Sequence, residues 1–551
     1  MRHGGLILIH QLKVQGCQRV FCVPGESYLA VLDALYDVGQ IQTITCRHES
    51  GAAMMAQAYG KLHHQPGVCF VTRGPGASNA AIGLHIAQQD STPMLLFVGM
   101  PARAMRDRET FQEFDLKGVF GTIAKDVIII DEAVRIPELI ARAYHISVAG
   151  RPGPVVIGLP EDMLRDRSHT ADCTKVKPVK SAPSRSDMID FQKRLESANR
   201  PLMIVGGPNW SQEIAENLMT VAEQFNVPVV TSFRSQDYID NRHPNFAGDV
   251  GIAINPKLAE CIAEADLIIA FGSRLGEITT QGYTLIQAPQ SSQSLIHIHS
   301  DPNELGKVYQ ADLSIVSDPE HFASALGQLK KPQRNHWPEW CKKICGHYKT
   351  YIKPVTTPGD VKMEYIINVL NDVLPENAIV TNGAGNYTAW LHRYFQYKRY
   401  GTQLAPRAGA MGYGLPAAIC AKLSYPDNVV VCLAGDGCFM MTAQELATAV
   451  HYGVPVIVLV VNNRMYGTIR MHQEKSYPGR VLGTSLTNPD FAKFASSFGA
   501  HGEVIEHRRD FRAALKRAIK AKVPSVIELQ VDEMALTPSK TLTEISESFA
   551  D

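Results

Sequence analysis

The clearest pattern in the chain is a series of short, continuous apolar runs, each ending in glycine or a polar pair. Val429 to Ala434 is one, β-branched and followed by Gly435-Asp436-Gly437; Val456 to Val461 is another, ending in Asn462-Asn463. Runs of this kind read as strands of a parallel sheet buried on both faces. Between them, Thr442 with Glu445 three residues on predicts a capping box at a helix start, and Gly453 and Pro455 stop that helix. Strand, helix, strand predicts a right-handed βαβ unit. It delivers both polar clusters to the carboxyl edge of neighbouring strands, where open α/β sheets take ligands.

The same pattern extends upstream. Val20–Val23 leads into Pro24-Gly25, Ile41–Cys46 delivers Arg47-His48-Glu49, and Val68–Thr72 runs into Gly74-Pro75-Gly76. Met94–Val98 and Val155–Leu159 complete a first unit, with helices expected over Gly51–Lys61 and from near Ser78-Asn79. Leu202–Val205 with Gly206-Gly207, Val227–Thr231, Leu267–Gly272 and Leu295–Ile298 form a second. The polar stretch Arg165–Met188 and the charged, Pro- and Trp-bearing stretch Lys330–Pro358 read as linkers. The expected fold class is therefore α/β, with three doubly wound parallel-sheet domains at 1–165, 189–329 and 359–551. No sequence repeat is visible, yet the first and third domains share a strand, Gly-turn, helix rhythm.

Composition narrows the picture by exclusion. The 551 residues carry 54 Lys+Arg and 54 Asp+Glu, which favours neither nucleic acid nor an acidic membrane surface as a partner. No apolar run reaches the ~18 residues of a membrane span, and Leu6–Ile9 is too short for a signal-peptide core. The 11 cysteines are scattered, several inside apolar strands, and Cys341 with Cys345 has no second pair to complete a zinc site. Reduced thiols and a cytoplasmic location are the expectation.

Candidate chemistry begins at the two polar clusters. Asp436, Asn463 and the backbone carbonyl of Met465 offer one charged and two neutral hard oxygens. Such a set suits Mg²⁺, which takes octahedral oxygen at roughly 2.0–2.1 Å and fills its remaining positions with phosphate and water. Gly435 and Gly437 let the backbone approach a phosphate closely. The bland reading is a turn aspartate and a chain-end asparagine pair.

Four further motifs, VPGESYLAVLDAL from Val23, HESGAAMMAQAYG from His48, TRGPGASNAAIGL from Thr72 and GAMGYGLPAAI from Gly409, carry a resemblance over nearly the whole chain. With the GDG…NN stretch they make the sequence similar to the thiamin-diphosphate-dependent 2-oxoacid decarboxylases and carboligases, and to acetolactate synthase within them. The resemblance implies a pyrimidine-binding domain, a central Rossmann-like domain and a diphosphate-binding domain. It also implies thiamin diphosphate and Mg²⁺ as cofactors, and a homodimer or homotetramer with the cofactor between subunits. Asp436, Asn463 and Met465 match the metal ligands. Gly383, Gly385, Asn386, Tyr387, Gly409, Gly435, Gly437 and Cys438 match positions around the diphosphate, and Met411 matches the residue that props the cofactor in its bent shape.

Glu49 matches the family's catalytic glutamate, whose carboxyl group hydrogen-bonds the cofactor's pyrimidine ring. Burial among Gly51, Ala52, Ala53 and Met54 would raise its pKa; the alternative is a helix-start Glu favoured by the macrodipole. Gln112 matches a glutamine near the reacting centre, against the alternative of a surface helix Gln. Arg274 matches an arginine directed at a second oxoacid's carboxylate, for which a guanidinium fork is suited; a salt bridge at a domain edge is the alternative.

The sequence departs from acetolactate synthases where substrate is expected. Glu26 stands where a small residue is usual, His472 where those enzymes have tryptophan, Arg73 in place of Ser, and Asn386-Tyr387 in place of Gln-His. After Arg274 the chain reads Leu-Gly-Glu-Ile, not the Phe-Asp-Asp-Arg of the flavin-bearing synthases, and Gly206-Gly207 is only part of a glycine-rich turn. FAD is thus left open and not favoured. The expected activity is a carboligase that decarboxylates a 2-oxoacid such as pyruvate and joins the fragment to a second carbonyl. The alternative within the family is a 2-oxoacid decarboxylase or C–C lyase with another substrate. A non-catalytic cofactor-binding subunit would have no need of Glu49, and a nicotinamide dehydrogenase lacks its GxGxxG signature.

Overall fold

The apolar runs assemble into three six-stranded parallel sheets in the computed structural model, which describes residues 1–331 and 337–549. The first sheet contains β1 (Arg19–Cys22), β2 (Gln42–Thr45), β3 (Gly67–Thr72), β4 (Met94–Met100), β5 (Asp126–Ile129) and β6 (Pro154–Pro160), in the order β2-β1-β3-β4-β6-β5. The central sheet contains β7 (Pro201–Val205), β8 (Val229–Ser232), β9 (Phe246–Val250), β10 (Leu267–Phe271), β11 (Ser294–His299) and β12 (Leu313–Val316), in the order β9-β8-β7-β10-β11-β12. The third contains β13 (Ile379–Asn382), β14 (Gln403–Leu404), β15 (Val430–Gly435), β16 (Ile457–Asn462), β17 (His501–Ile505) and β18 (Ser525–Gln530), in the order β14-β13-β15-β16-β18-β17.

The first and third sheets therefore share one strand order, which accounts for the rhythm common to their sequences. The central sheet has the order 3-2-1-4-5-6 of a dinucleotide-binding fold. In each sheet the direction of winding reverses beside its first strand, and the loops leaving those strands frame a crevice.

Six helices matter for the site: α1 (Glu49–His63), α2 (Arg73–Asp90), α3 (Pro338–Tyr351), α4 (Gly414–Ser424), α5 (Asp436–Met440) and α6 (Gly467–Ser476). Helices α1 and α4 pack together, and their small residues, among them Ala52, Ala53, Ala417, Ala418 and Ala421, join the first and third sheets in one buried cluster. Tyr413 OH donates to Gln57 Oε1 at 2.6 Å across this junction. A hydrogen bond made where both groups are dry is costly to lose, about 1–3 kcal/mol for the orphaned partner.

Two expectations are revised. Helix α2 begins directly after β3 at Arg73, so Gly74-Pro75-Gly76 is its first turn and not a separate loop. Within the expected second linker, residues 332–336 lie outside the described residues, but most of the remainder is α3, whose Trp340, Cys341, Ile344, Cys345 and Tyr348 are buried against the central sheet. The charges that suggested a linker occupy its opposite face. Among the described residues no helix is long and apolar enough to cross a membrane.

Candidate active site

Asp436 is the first residue of α5, placed by β15 at the reversal point of the third sheet, and it is 2% exposed. Its Oδ1 accepts from the Gly437 N–H at 2.9 Å, and its Oδ2 from Asn488 Nδ2 at 2.7 Å. Burial pushes the carboxyl above its usual range, opposed by those two donors. Asn488 also donates to Asn462 Oδ1 at 3.0 Å, so one amide ties the ends of β15 and β16 together. Nothing in the hydrophobic pattern marks Asn488, which lies in an irregular loop. Asn463 Oδ1 accepts only a long bond, 3.3 Å, from the Met465 N–H, and the Met465 carbonyl accepts from Gly467 N–H with a lone pair to spare. The donor set is thus one carboxylate, one amide oxygen and one carbonyl, the hard-oxygen chemistry that suits Mg²⁺ with phosphate completing the shell.

These residues border a pocket of about 240 Å³, also lined by Gly385, Asn386, Tyr387, Gly409, Met411 and Cys438. The Gly412 N–H donates to Cys438 Sγ at 3.2 Å and its carbonyl accepts from Thr442 Oγ1 at 2.6 Å, so the loop carrying Met411 is clamped from both sides. Gly412 itself has φ +81°, a conformation that glycine adopts without strain. Tyr387 is buried and its OH donates to Cys438 Sγ at 3.4 Å; burial raises its pKa. Asn386 is engaged by α6: its N–H donates to Thr468 Oγ1 at 2.9 Å, and that hydroxyl donates back to Asn386 Oδ1 at 3.0 Å. Gly383 lies just behind, where an added Cβ would meet Cys438 Sγ at 2.4 Å.

The capping box expected at Thr442 and Glu445 does not form. The Thr442 hydroxyl is spent on Gly412, a 3₁₀ turn covers Ala443–Glu445, and the helix proper runs from Leu446 to His451. Glu445 turns instead to the amino-terminal domain, where it accepts from the N–H groups of Arg47 and His48. Tertiary partners have overridden a local signal.

Glu49 opens α1, capped by His48, whose Nδ1 accepts from the Ser50 N–H. The expectation that Glu49 itself is buried is corrected. Gly51 to Met54 are buried, but Glu49 is half-buried, with its carboxylate turned toward the first turns of α2. Its Oε2 accepts from Asn79 Nδ2 of α2 at 2.9 Å. No residue of the first sheet lines the Asp436 pocket, so the chain does not bring Glu49 to the metal half of the site by itself.

Gln112 is not on a helix: it sits at φ +60° in a loop fastened to α2, where the Gly74 N–H donates to its carbonyl at 3.0 Å. Arg73 fixes the same loop, donating to the Phe111 carbonyl and to Glu161 Oε2, both at 3.0 Å. Glu26 is exposed at the turn after β1, beside the end of β3. Glu49, Asn79, Gln112 and Glu26 therefore share the carboxyl edge of the first sheet. Arg274 follows β10 and donates to the Gln89 carbonyl at 2.7 Å; burial, with Arg151 nearby, lowers its pKa to about 10. It lines a cavity of about 490 Å³ between the three sheets that also reaches Gly409, a residue of the Asp436 pocket. It is not in a salt bridge among the described residues. His472 is exposed on α6, one turn beyond the pocket residue Thr468 on the same face.

Three α/β sheets with a glycine-rich, hard-oxygen pocket at the reversal point of the last define a class of cofactor-dependent α/β enzyme. The chain belongs to the thiamine pyrophosphate enzyme family: its N-terminal TPP binding domain model matches residues 2–119, its central domain model 190–326, and its C-terminal TPP binding domain model 383–529. Among curated proteins, the chain is 30% identical over 537 residues to acetolactate synthase isozyme 2 large subunit of Escherichia coli (strain K12), covering 97% of this chain and 96% of that one. It is 31% identical over 579 residues to a probable acetolactate synthase large subunit of Methanococcus aeolicus, covering 100% and 96%. It is 31% identical over 540 residues to an acetolactate synthase of Mycobacterium bovis, covering 94% and 85%.

Proposed function

We propose that the protein is a thiamin-diphosphate- and Mg²⁺-dependent carboligase of the acetolactate synthase kind. It decarboxylates a 2-oxoacid, pyruvate in the first instance, and joins the remaining fragment to a second carbonyl compound. Asp436, Asn463 and the Met465 carbonyl would hold the metal. Gly383, Gly385, Asn386, Gly435, Gly437 and Cys438 would receive the diphosphate, with Gly409 and Tyr387 as walls and Met411 as the prop under the cofactor. When bound, thiamin diphosphate supplies the electron sink that allows CO₂ to leave. Glu49, contributed by a second copy of the chain, would hold a proton at the cofactor's pyrimidine ring, and Gln112 would enter beside it.

The observation that carries the carboligase reading is the position of Arg274. A ligase of the acetolactate kind must hold a second 2-oxoacid anion next to the first, and this guanidinium lies in a cavity that meets the cofactor pocket at Gly409. A bidentate Arg–carboxylate contact fixes the orientation of a planar anion. The reading does not include FAD. A dinucleotide-binding fold uses an acidic residue after its second strand to hold the ribose, and here β8 runs into Ser232-Phe233-Arg234.

Exposed Glu26 at the sheet edge and His472 beside the pocket favour, as the second reading, a decarboxylase or C–C lyase whose substrate is not pyruvate. Incubation of the purified protein with Mg²⁺, thiamin diphosphate and a panel of 2-oxoacids, with product identification, separates the readings. Acetolactate from pyruvate supports the ligase; release of an unjoined aldehyde from any 2-oxoacid of the panel, with no joined product, supports the decarboxylase and contradicts the ligase.

A further inference from the structure

Glu445 is fully buried at the junction of the first and third domains. Its Oε1 accepts from the His48 N–H at 3.0 Å and from the Arg47 N–H at 3.2 Å, and its Oε2 lies 3.3 Å from the same Arg47 nitrogen. Oε2 also accepts from Thr448 Oγ1 at 2.7 Å, which fixes the carboxylate from its own side. Arg47 and His48 are the two residues before Glu49, so a carboxylate of the diphosphate-binding domain grips the backbone that presents the glutamate at the pyrimidine half of the site.

The approach is close enough to dictate sequence on the other side. A Cβ on Gly51 would lie 2.5 Å from Glu445 Oε1 and 2.6 Å from its carboxyl carbon. Glycine in the first turns of a helix is intrinsically worse than alanine; here it is what admits the carboxylate. His48 caps α1 separately through its own side chain on Ser50 N–H, so the helix end does not need Glu445 merely to satisfy that donor. The Glu445 contacts constrain something else, namely the path of residues 47 and 48.

We propose that Glu445 is a positioning residue for the reaction: its two backbone contacts, admitted by Gly51, set the place of Glu49 relative to the cofactor's pyrimidine ring. The proposal rests on the assignment of Glu49 given above. A proton transfer needs its two heavy atoms within hydrogen-bond reach, and displacements of about 1 Å cost on the order of 10²-fold in rate. A slackened Glu445 contact would thus lower turnover without touching the groups that hold the diphosphate and metal.

The test uses Glu445→Leu, which keeps the bulk but removes both acceptors from the Arg47 and His48 N–H groups, and Gly51→Ala, which keeps the charge and forces the carboxylate away. Each holoenzyme is measured for the dissociation constant of thiamin diphosphate, for kcat, and for the rate at which the bound cofactor's C2 proton exchanges with D₂O. The expected result is a 10- to 100-fold fall in both exchange rate and kcat, with cofactor affinity within about twofold of wild type. If Glu445→Leu does not fold, Gly51→Ala decides alone, since it keeps the carboxylate and alanine is the better helix former. Exchange at the wild-type rate in a folded variant overturns the proposal, as does a loss confined to cofactor affinity. Glu49→Gln is run alongside: wild-type exchange in that variant would instead defeat the assignment of Glu49 itself.

Discussion

Glu49 Oε2 is held at 2.9 Å by Asn79 Nδ2, and both residues stand on the sheet that contributes nothing to the Asp436 pocket. On the proposed reading, one chain carries two half-sites. Glu49→Gln is expected to lower kcat by about 10²–10⁴-fold, the range of a lost general acid–base group, while thiamin diphosphate affinity changes little. Asn79→Ala, which frees the carboxylate without removing it, should lower kcat by roughly 10-fold. Steady-state kinetics with parallel cofactor titrations check both.

Asp436 is the charged member of the hard-oxygen set, and among the described residues no other carboxylate lines its pocket. Asp436→Ala is expected to abolish cofactor binding at micromolar concentrations. Chelation of Mg²⁺ from the wild-type enzyme should release thiamin diphosphate, and added Mg²⁺ should restore it. Isothermal titration and a spin-column assay of bound cofactor measure these outcomes; unchanged retention in Asp436→Ala would contradict the metal assignment.

Arg274 offers its guanidinium to a cavity and, among the described residues, donates one hydrogen bond, to the Gln89 carbonyl. Arg274→Gln is expected to raise KM for the second substrate about 10- to 100-fold, the loss of a charged hydrogen bond of about 1.5–3 kcal/mol. Cofactor affinity should stay unchanged. Initial rates with pyruvate as donor and a different 2-oxoacid as acceptor, the two varied independently, would separate this from a general loss of activity.

Acid stability follows from buried histidines. Burial, with Arg234 nearby, lowers the pKa of His392 from 6.5 to about 3, and burial, with His297 nearby, lowers that of His299 to about 4. Both rings stay neutral in the folded state while the unfolded chain takes up protons below pH 6.5. Stability is therefore retained at neutral pH and lost as pH falls from 6.5 toward 4, by up to about 1.4 kcal/mol per unit for each ring. Urea denaturation of the cofactor-free protein at about pH 7 and about pH 5 should show a lower midpoint at the acid end. His392→Gln should reduce the difference.

Much of the fold is legible because strands buried on both faces advertise themselves as apolar runs. Those that escaped are mostly at sheet edges: β5, β9, β12, β14 and β17 are terminal strands. β12 and β17 meet solvent, so polar residues such as Ser314 and Glu503 interrupt them, Asp249 interrupts β9, and β14 is only two residues long. Helix α3 was hidden for the opposite reason, its buried stripe at Trp340, Ile344 and Tyr348 being outnumbered by surface charge. At the site, the GDG and NN clusters were legible because they follow such strands. Asn488, Asn79 and the redirected Glu445 were not, since each acts through a contact distant in sequence.

The claim that one cofactor is served by two chains is tested most directly by co-expressing Glu49→Gln and Asp436→Ala chains with different affinity tags. In a two-fold dimer carrying one of each, one site has both groups intact and the other has neither. The doubly tagged species should recover about half the wild-type kcat per dimer while each parent remains inactive. No recovery in the isolated mixed dimer would contradict the account.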